Sequence, residues 1–268
     1  PQASALVVKD GKFVYVGDEA GLADYEGEVT DLGGKFIMPG IIDSHVHIES
    51  SHVSPIAYAR LVVPCGTTTV IADPHEICNV CGPDGVKAMI EDGKRVPLKA
   101  MSNVPSCVPA VAGFEDTGSH IGPEEVREMM TWDGIMGLGE MMNFPGVIYG
   151  DPDVHGELAE TLKADQVITG HYSVPETGPG LNAFIASGVR CCHESTRAED
   201  VLEKMRHAVG EGIFDEFGDV IDAADRGDRE ISEVRAHQQR LRFVIGNTAN
   251  AEISVHFFYI TFELCAKR

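Results

Sequence analysis

Residues 36–47 read FIMPGIIDSHVH, an apolar run that ends in two histidines one residue apart. In a β-strand, residues i and i+2 project to the same face, so His45 and His47 can bind one metal ion from a single strand end while Val46 points the other way. Lone His-x-His pairs also occur by chance and at ordinary core or surface positions. The pair therefore predicts a metal site only if other strands end in further ligands.

Later apolar segments do end in residues that can bind metal. Residues 67–72 precede Asp73, 134–139 precede Glu140, 166–170 precede His171, and 189–192 precede His193. A weaker strand is predicted over residues 98–101, and helices are predicted to begin at Pro123 and near Arg197. Repeated strand–helix units predict an α/β fold with a parallel sheet, either doubly wound or closed as a (β/α)8 TIM-type barrel. The barrel is favoured because its strand ends converge on one mouth, and because no Gly-x-Gly-x-x-Gly follows the first strand.

The residues before the barrel have a different pattern. A β-hairpin is predicted around the turn Asp10-Gly11, and a further short strand and turn over residues 29–34. We therefore expect residues 1–35 to form a small β-module, too small to bury a core alone, and residues 36–268 to form the barrel.

Composition excludes several classes of protein. The 268 residues carry a formal charge of −21, and no basic patch of the kind that nucleic-acid binders need is visible. No apolar stretch is long enough to cross a bilayer and no signal peptide opens the chain, so we expect a cytoplasmic protein with no membrane partner. Seven scattered cysteines indicate reduced thiols, and the single Cys78-x-x-Cys81 pair has no second pair to complete a zinc site. Whether copies of this chain assemble into a homo-oligomer stays an open question.

The types of the candidate ligands indicate the chemistry. Imidazole and carboxylate groups without thiolate suit zinc, iron or manganese, and leave coordination positions for water. A bound metal lowers the pKa of that water, so hydroxide is available near neutral pH. Four histidines with one or two carboxylates can hold a pair of divalent ions, and the expected reaction is hydrolytic attack at a carbon.

Several blocks of sequence resemble one family. Residues 39–47 look like the first-strand signature of the amidohydrolase superfamily, and the N-terminal module resembles the split β-sandwich that accompanies that barrel. More narrowly, four blocks are similar to bacterial and archaeal adenine deaminases: residues 48–51, 66–77, 105–109 and 137–143. The resemblance runs from about residue 34 to about residue 205, after which the chain is divergent or truncated relative to the family.

The resemblance also implies a two-metal site. By it, His45 and His47 bind the first ion, His171 and His193 bind the second, and Glu140 bridges the two.

Further roles follow from the same resemblance. Asp73 is implied as an additional active-site carboxylate, with a ligand role open, and His75 is implied as catalytic. Glu76 is implied to contact the purine, although a structural turn or cap is an equally open role for His75 and Glu76. The implied reaction converts adenine and water into hypoxanthine and ammonia, by attack of metal-activated hydroxide on C6.

The family pattern is not visible after about residue 205. The aspartate that ends the last barrel strand in the superfamily has no counterpart at the late strand predicted over residues 241–246, which runs into Asn247. Four acidic residues, Asp215, Asp219, Asp222 and Asp225, look like a solvated helix face, and residues 253–262 are compatible with a strand.

Two alternatives therefore stay open: another cyclic-amide or aminopurine hydrolase of the superfamily, or a catalytically impaired homologue that binds metal or purine and lacks the last-strand aspartate. A zinc nucleobase deaminase of the His-x-Glu type is excluded, because His75 and Glu76 are adjacent.

Overall fold

A computed structural model describes residues 4–175 and 177–208. The chain divides into two compact units with the boundary between Pro39 and Gly40. The acidic helix face predicted over residues 215–225 and the strands predicted over residues 241–246 and 253–262 lie outside the described residues. Within the described part, no helix is long and apolar enough to cross a membrane.

The first unit contains the expected hairpin. Strands β1 (Ala5–Lys9) and β2 (Lys12–Gly17) pair antiparallel. Asp10 and Gly11 both have positive φ, 52° and 72°, as a two-residue hairpin turn requires. A 3-10 helix follows over Glu19–Asp24.

The further strand predicted over residues 29–34 is wrong. These residues form no strand, and Val29 is 82% exposed. The Asp31 carboxylate instead accepts a hydrogen bond from the Gly33 amide (2.8 Å), so a local turn satisfies the backbone where a sheet ladder was expected.

Six parallel strands form the sheet of the second unit. They are β3 (Ile41–Val46), β4 (Thr67–Ala72), β5 (Lys99–Val104), β6 (Ile135–Met141), β7 (Val167–Gly170) and β8 (Val189–Cys192), and each pairs with the next along the chain. A doubly wound sheet reverses its strand order at a switch point, and the described strands do not. The sheet is therefore that of a TIM-type α/β fold, and the doubly wound alternative is wrong for these strands; closure by eight strands stays a prediction.

Helices connect the strands. They are α1 (Pro55–Val62), α2 (His75–Gly93), α3 (Pro123–Met129), α4 (Phe144–Tyr149), α5 (Pro152–Lys163), α6 (Pro179–Ala186) and α7 (Ala198–Ala208). Five of the seven have proline in the first turn, where the missing amide costs no helical hydrogen bond. The helix starts predicted at Pro123 and near Arg197 are confirmed.

The core lies between sheet and helices. Val104, Leu138, Met141, Ile168 and Phe184 are each at most 1% exposed and belong to one cluster. Strands covered on both faces have apolar runs of this kind, which explains why their positions were readable from the sequence.

Two strand ends differ from the prediction. β6 was expected to end before Glu140, but Met141 still pairs with Gly170 of β7, so Glu140 lies inside the strand. His45 likewise lies inside β3, because Val46 pairs with Ala72. Pairing resumes after both candidate ligands, and its register is irregular across each of them, between Asp43 and Val46 and between Leu138 and Met141.

Candidate metal centre

The predicted metal ligands meet at one edge of the sheet. His45 is the second-last residue of β3, and His47 follows that strand directly. His171 and His193 follow the ends of β7 and β8. Glu140, from β6, is 5% exposed and lies among them.

Glu140 is shared by two groups of potential ligands. One group is His45, His47 and Glu140, the other is Glu140, His171 and His193, and within each group the ligand atoms all lie within 4.8 Å of one another. Glu140 Oε2 lies 3.3 Å from His45 Nε2 and 2.8 Å from His193 Nε2, while Oε1 lies 3.2 Å from His47 Nε2. The two oxygens therefore face histidines of both groups, as a bridging carboxylate would.

The electrostatics of the cluster favour positive charge. Burial alone would raise the pKa of Glu140, but hydrogen bonds from His193, His45 and His47 outweigh it and hold that pKa far below its ordinary value. Hydrogen bonds to Glu140 and then to Glu76 raise the pKa of His47 to about 10. Imidazole nitrogens and carboxylate oxygens that attract protons this strongly can also bind a divalent cation, through the same atoms, once the imidazoles are neutral.

No basic side chain competes for these carboxylates. In residues 4–175 and 177–208, the ion pairs of Asp73, Glu76, Glu140 and Glu194 are all to histidine. With neutral imidazoles the site is strongly negative, and the donor set is imidazole plus carboxylate. Its chemistry therefore fits a divalent transition metal.

Asp73 lies behind the ligands rather than among them. It is fully buried, and its Oδ2 accepts hydrogen bonds from the Glu140 amide (3.0 Å) and from Asn103 Nδ2 (3.5 Å). It belongs to neither ligand group of the described residues, although His45 Nδ1 lies 3.7 Å away. A Cβ at Gly139 would lie 2.0 Å from Asp73 Oδ1, so a glycine is needed for this close approach.

His75 faces the other oxygen of Asp73. Its Nδ1 lies 3.0 Å from Asp73 Oδ1 and 3.8 Å from Glu140 Oε1, and the residue is 7% exposed. Burial would lower the pKa of His75, but the negative charge of the adjacent Asp73 outweighs it and raises that pKa well above its ordinary value. The His75 imidazole therefore lies beside the shared carboxylate of Glu140.

Glu76, expected to contact substrate, lies against His47. Its Oε2 is 3.1 Å from His47 Nδ1, and its Oε1 accepts a hydrogen bond from Ser50 Oγ (2.7 Å). Burial opposes ionisation of Glu76, yet the bonds from His47 and Ser50 lower its pKa to about 2. A carboxylate on the far nitrogen of a ligand histidine fixes the tautomer and orientation of the ring.

Sequence reasoning missed one acidic neighbour. Glu194 Oε1 lies 3.4 Å from His171 Nε2 and 3.6 Å from His193 Nε2. Its position directly after His193 was the available signal, but adjacent residues of an extended chain point in opposite directions, so the spacing argued against it.

The cysteines take no part in either ligand group of the described residues. Cys78 is buried, and burial raises the pKa of its thiol to about 12, while Cys81 is exposed. A thiol with so high a pKa is a poor metal ligand, because the thiolate is the binding form. The structural interpretation of Cys78-x-x-Cys81 is therefore favoured.

Comparison with known proteins identifies similar sequences. The amidohydrolase family model matches residues 36–244. An adenine deaminase of Clostridium botulinum (Langeland strain) is 60% identical over 201 residues, which is 75% of this chain and 34% of the relative. Adenine deaminases of Moorella thermoacetica (52% over 201 residues, 75% and 34%) and of a Ruegeria species (44% over 205 residues, 76% and 34%) are also similar. The chain spans about a third of the length of these curated relatives.

Proposed function

Because this chain belongs to the amidohydrolase family, we propose that it catalyses the hydrolytic deamination of adenine, the activity for which its relatives are named. The observation that carries the proposal is the meeting of His45, His47, His171 and His193 around the carboxylate of Glu140. The balanced reaction consumes one water per adenine and yields hypoxanthine and ammonia.

The proposed cofactor is a pair of divalent ions. His45 and His47 would hold one ion, His171 and His193 the other, and Glu140 would contact both. Ions held there supply a Lewis acid that brings the pKa of water toward neutrality. Zinc, iron and manganese all suit this donor set.

Residues around the ligands have the positions needed to support them. Asp73 fixes the Glu140 backbone through the amide bond of 3.0 Å, and Glu76 holds the His47 ring through Nδ1. We assign Asp73 and Glu76 as positioning residues for this reason, which replaces purine contact as the proposed role of Glu76.

Deamination also requires a proton at the departing nitrogen. His75 is the group we assign to hold it, because its Nδ1 lies between Asp73 and Glu140 at 3.0 and 3.8 Å. The Asp73–His75 pair is buried, so it can hold this proton apart from bulk solvent.

The test is product analysis with the chain loaded with Mn²⁺. Hypoxanthine measured by chromatography and ammonia measured enzymatically should appear in equal amounts from adenine. His193→Ala should abolish both products, while His120→Ala, which removes an exposed histidine outside the cluster, should not.

Two outcomes would contradict the proposal. Hydrolysis of a cyclic amide such as a dihydropyrimidine with adenine untouched would show that the substrate is wrong. Stoichiometric metal with no turnover of adenine, other aminopurines or cyclic amides would identify a binding protein.

We further propose that the protein works in the cytoplasm on a small purine and not on nucleic acid. Cys65, Cys78, Cys81, Cys107 and Cys192 are free thiols, which fits a reducing compartment. The charge of −21 opposes binding to polyphosphate chains.

A further inference from the structure

His171 and His193 lie just past the paired part of β7 and β8, where the two strands no longer hydrogen-bond to each other. The last pair between these strands is Gly170 with Cys192, and each histidine is the next residue along its chain. The separation of the two imidazoles therefore depends on what holds the backbone after that pair.

Lys204 of α7 contacts both strand continuations. Its Nζ donates to the Tyr172 carbonyl oxygen at 2.7 Å and lies 3.1 Å from Cys192 Sγ. Tyr172 follows His171, and Cys192 precedes His193, so one ammonium group joins the residues adjacent to both candidate ligands.

The contact is reinforced by its surroundings. The Tyr172 amide donates to Cys192 Sγ at 3.3 Å, the Tyr172 side chain is 1% exposed, and the Lys204 ammonium lies 5.7 Å from the centre of its ring. Charge-assisted hydrogen bonds and cation–π contacts both strengthen when partly removed from water. These contacts place the Lys204 ammonium between the ends of the two strands.

The first pair of histidines has no need of such a connection. His45 and His47 come from one strand end, and Glu76 orients His47. Loss of the Lys204 contacts should therefore affect one half of the centre and leave the other half intact.

We propose that Lys204 is a positioning residue that sets the spacing of His171 and His193 for the second metal ion. This rests on the two-ion site of the proposed function. An ammonium group near a cation site weakens cation binding by repulsion, so a purely electrostatic role and a positioning role predict opposite effects of removing it.

The test is Mn²⁺ binding to the 268-residue chain and to Lys204→Met, which keeps the aliphatic stem and removes the ammonium. Bound metal is measured by elemental analysis across a titration, and electron paramagnetic resonance separates a spin-coupled Mn²⁺ pair from a single ion. Wild type should bind two coupled ions. The variant should bind the first ion with wild-type affinity and the second about tenfold more weakly, with the coupled signal reduced, as for other residues that orient ligands.

Lys87→Met is the matched control. The Lys87 ammonium also lies 5.7 Å from an aromatic ring centre, that of Trp132, but on α2 and not at the ends of β7 and β8. This variant should bind two coupled ions as wild type does.

Specific results overturn the proposal. Wild-type or tighter binding of the second ion by Lys204→Met overturns the positioning role while the two-ion site stands, whereas a single ion in wild type overturns both. If circular dichroism shows that Lys204→Met does not fold, Cys192→Ala decides. It removes a sulfur that Lys204 and the Tyr172 amide both contact, and wild-type affinity for the second ion in that variant overturns the proposal.

Discussion

Glu157 gives a prediction about stability that is independent of activity. It lies on α5, is 4% exposed, and its Oε2 has no hydrogen-bond partner among the described residues. Burial, followed by the nearby charges of Cys107 and Asp153, raises its pKa from 4.5 to about 9. The side chain therefore keeps its proton in the folded protein at neutral pH.

The sign and size of the effect follow from proton linkage. Between pH 4.5 and about 9 the unfolded chain releases the proton of Glu157 and the folded chain retains it, so this residue makes the folded state less stable as pH rises. The loss is about 1.4 kcal/mol per pH unit, or about 3 kcal/mol accumulated by pH 7. Glu157→Gln keeps the shape of the side chain and removes the titration.

The assay is urea unfolding of wild type and Glu157→Gln at pH 5.5, 6.5 and 7.5 with equal metal loading. The free energy of unfolding of the variant, minus that of wild type, should rise by about 1.4 kcal/mol for each pH unit. Glu160→Gln, on the same helix, is the control: hydrogen bonding to Lys163 lowers the pKa of Glu160, so its difference from wild type should stay constant over this range. A difference for Glu157→Gln that is flat or falls with pH would refute the reasoning.

Three other substitutions test the centre itself. Glu140→Gln removes the shared charge and should lower metal affinity by about a hundredfold or more, measured by elemental analysis after dialysis, whereas Cys81→Ala should leave metal content unchanged; full occupancy in Glu140→Gln would exclude the bridge. Glu76→Gln should lower the affinity for the first ion by about tenfold in a metal titration, and an equal loss of affinity for both ions would argue against an effect confined to His47. Gly139→Ala places a Cβ 2.0 Å from Asp73 Oδ1 and should cost at least about 1–3 kcal/mol in thermal or urea unfolding; wild-type stability would show that the carboxylate can move aside.

The histidines were predictable because their spacing and position relative to strands are local properties. The pair His45 and His47 shows period-2 geometry within one strand, and His171 and His193 each follow a short apolar run. Glu140 was predicted on the same basis, although the strand continues past it to Met141. The strand expected over residues 29–34 failed because a side-chain hydrogen bond to the turn outweighed a weak extended pattern.

Positioning contacts were not predictable in the same way. Glu76 is 29 residues from His47, and Lys204 is 32 residues from Tyr172, so each pair meets only through the folding of separate strand–helix units. Family resemblance alone marked Glu76 as a site residue, and nothing in the local sequence distinguishes Lys204 from charged residues on a solvated helix face.

By itself, the sequence determined that this chain forms strand–helix units and that its candidate metal ligands lie at or next to the ends of strands, because backbone periodicity and ligand chemistry are encoded residue by residue. The tertiary structure alone decided that Glu140 faces histidines of both groups, that Asp73 lies behind it, and which side chains contact these candidate ligands. Those contacts depend on the register of neighbouring strands, where a shift of one residue would turn each side chain to the other face of the sheet.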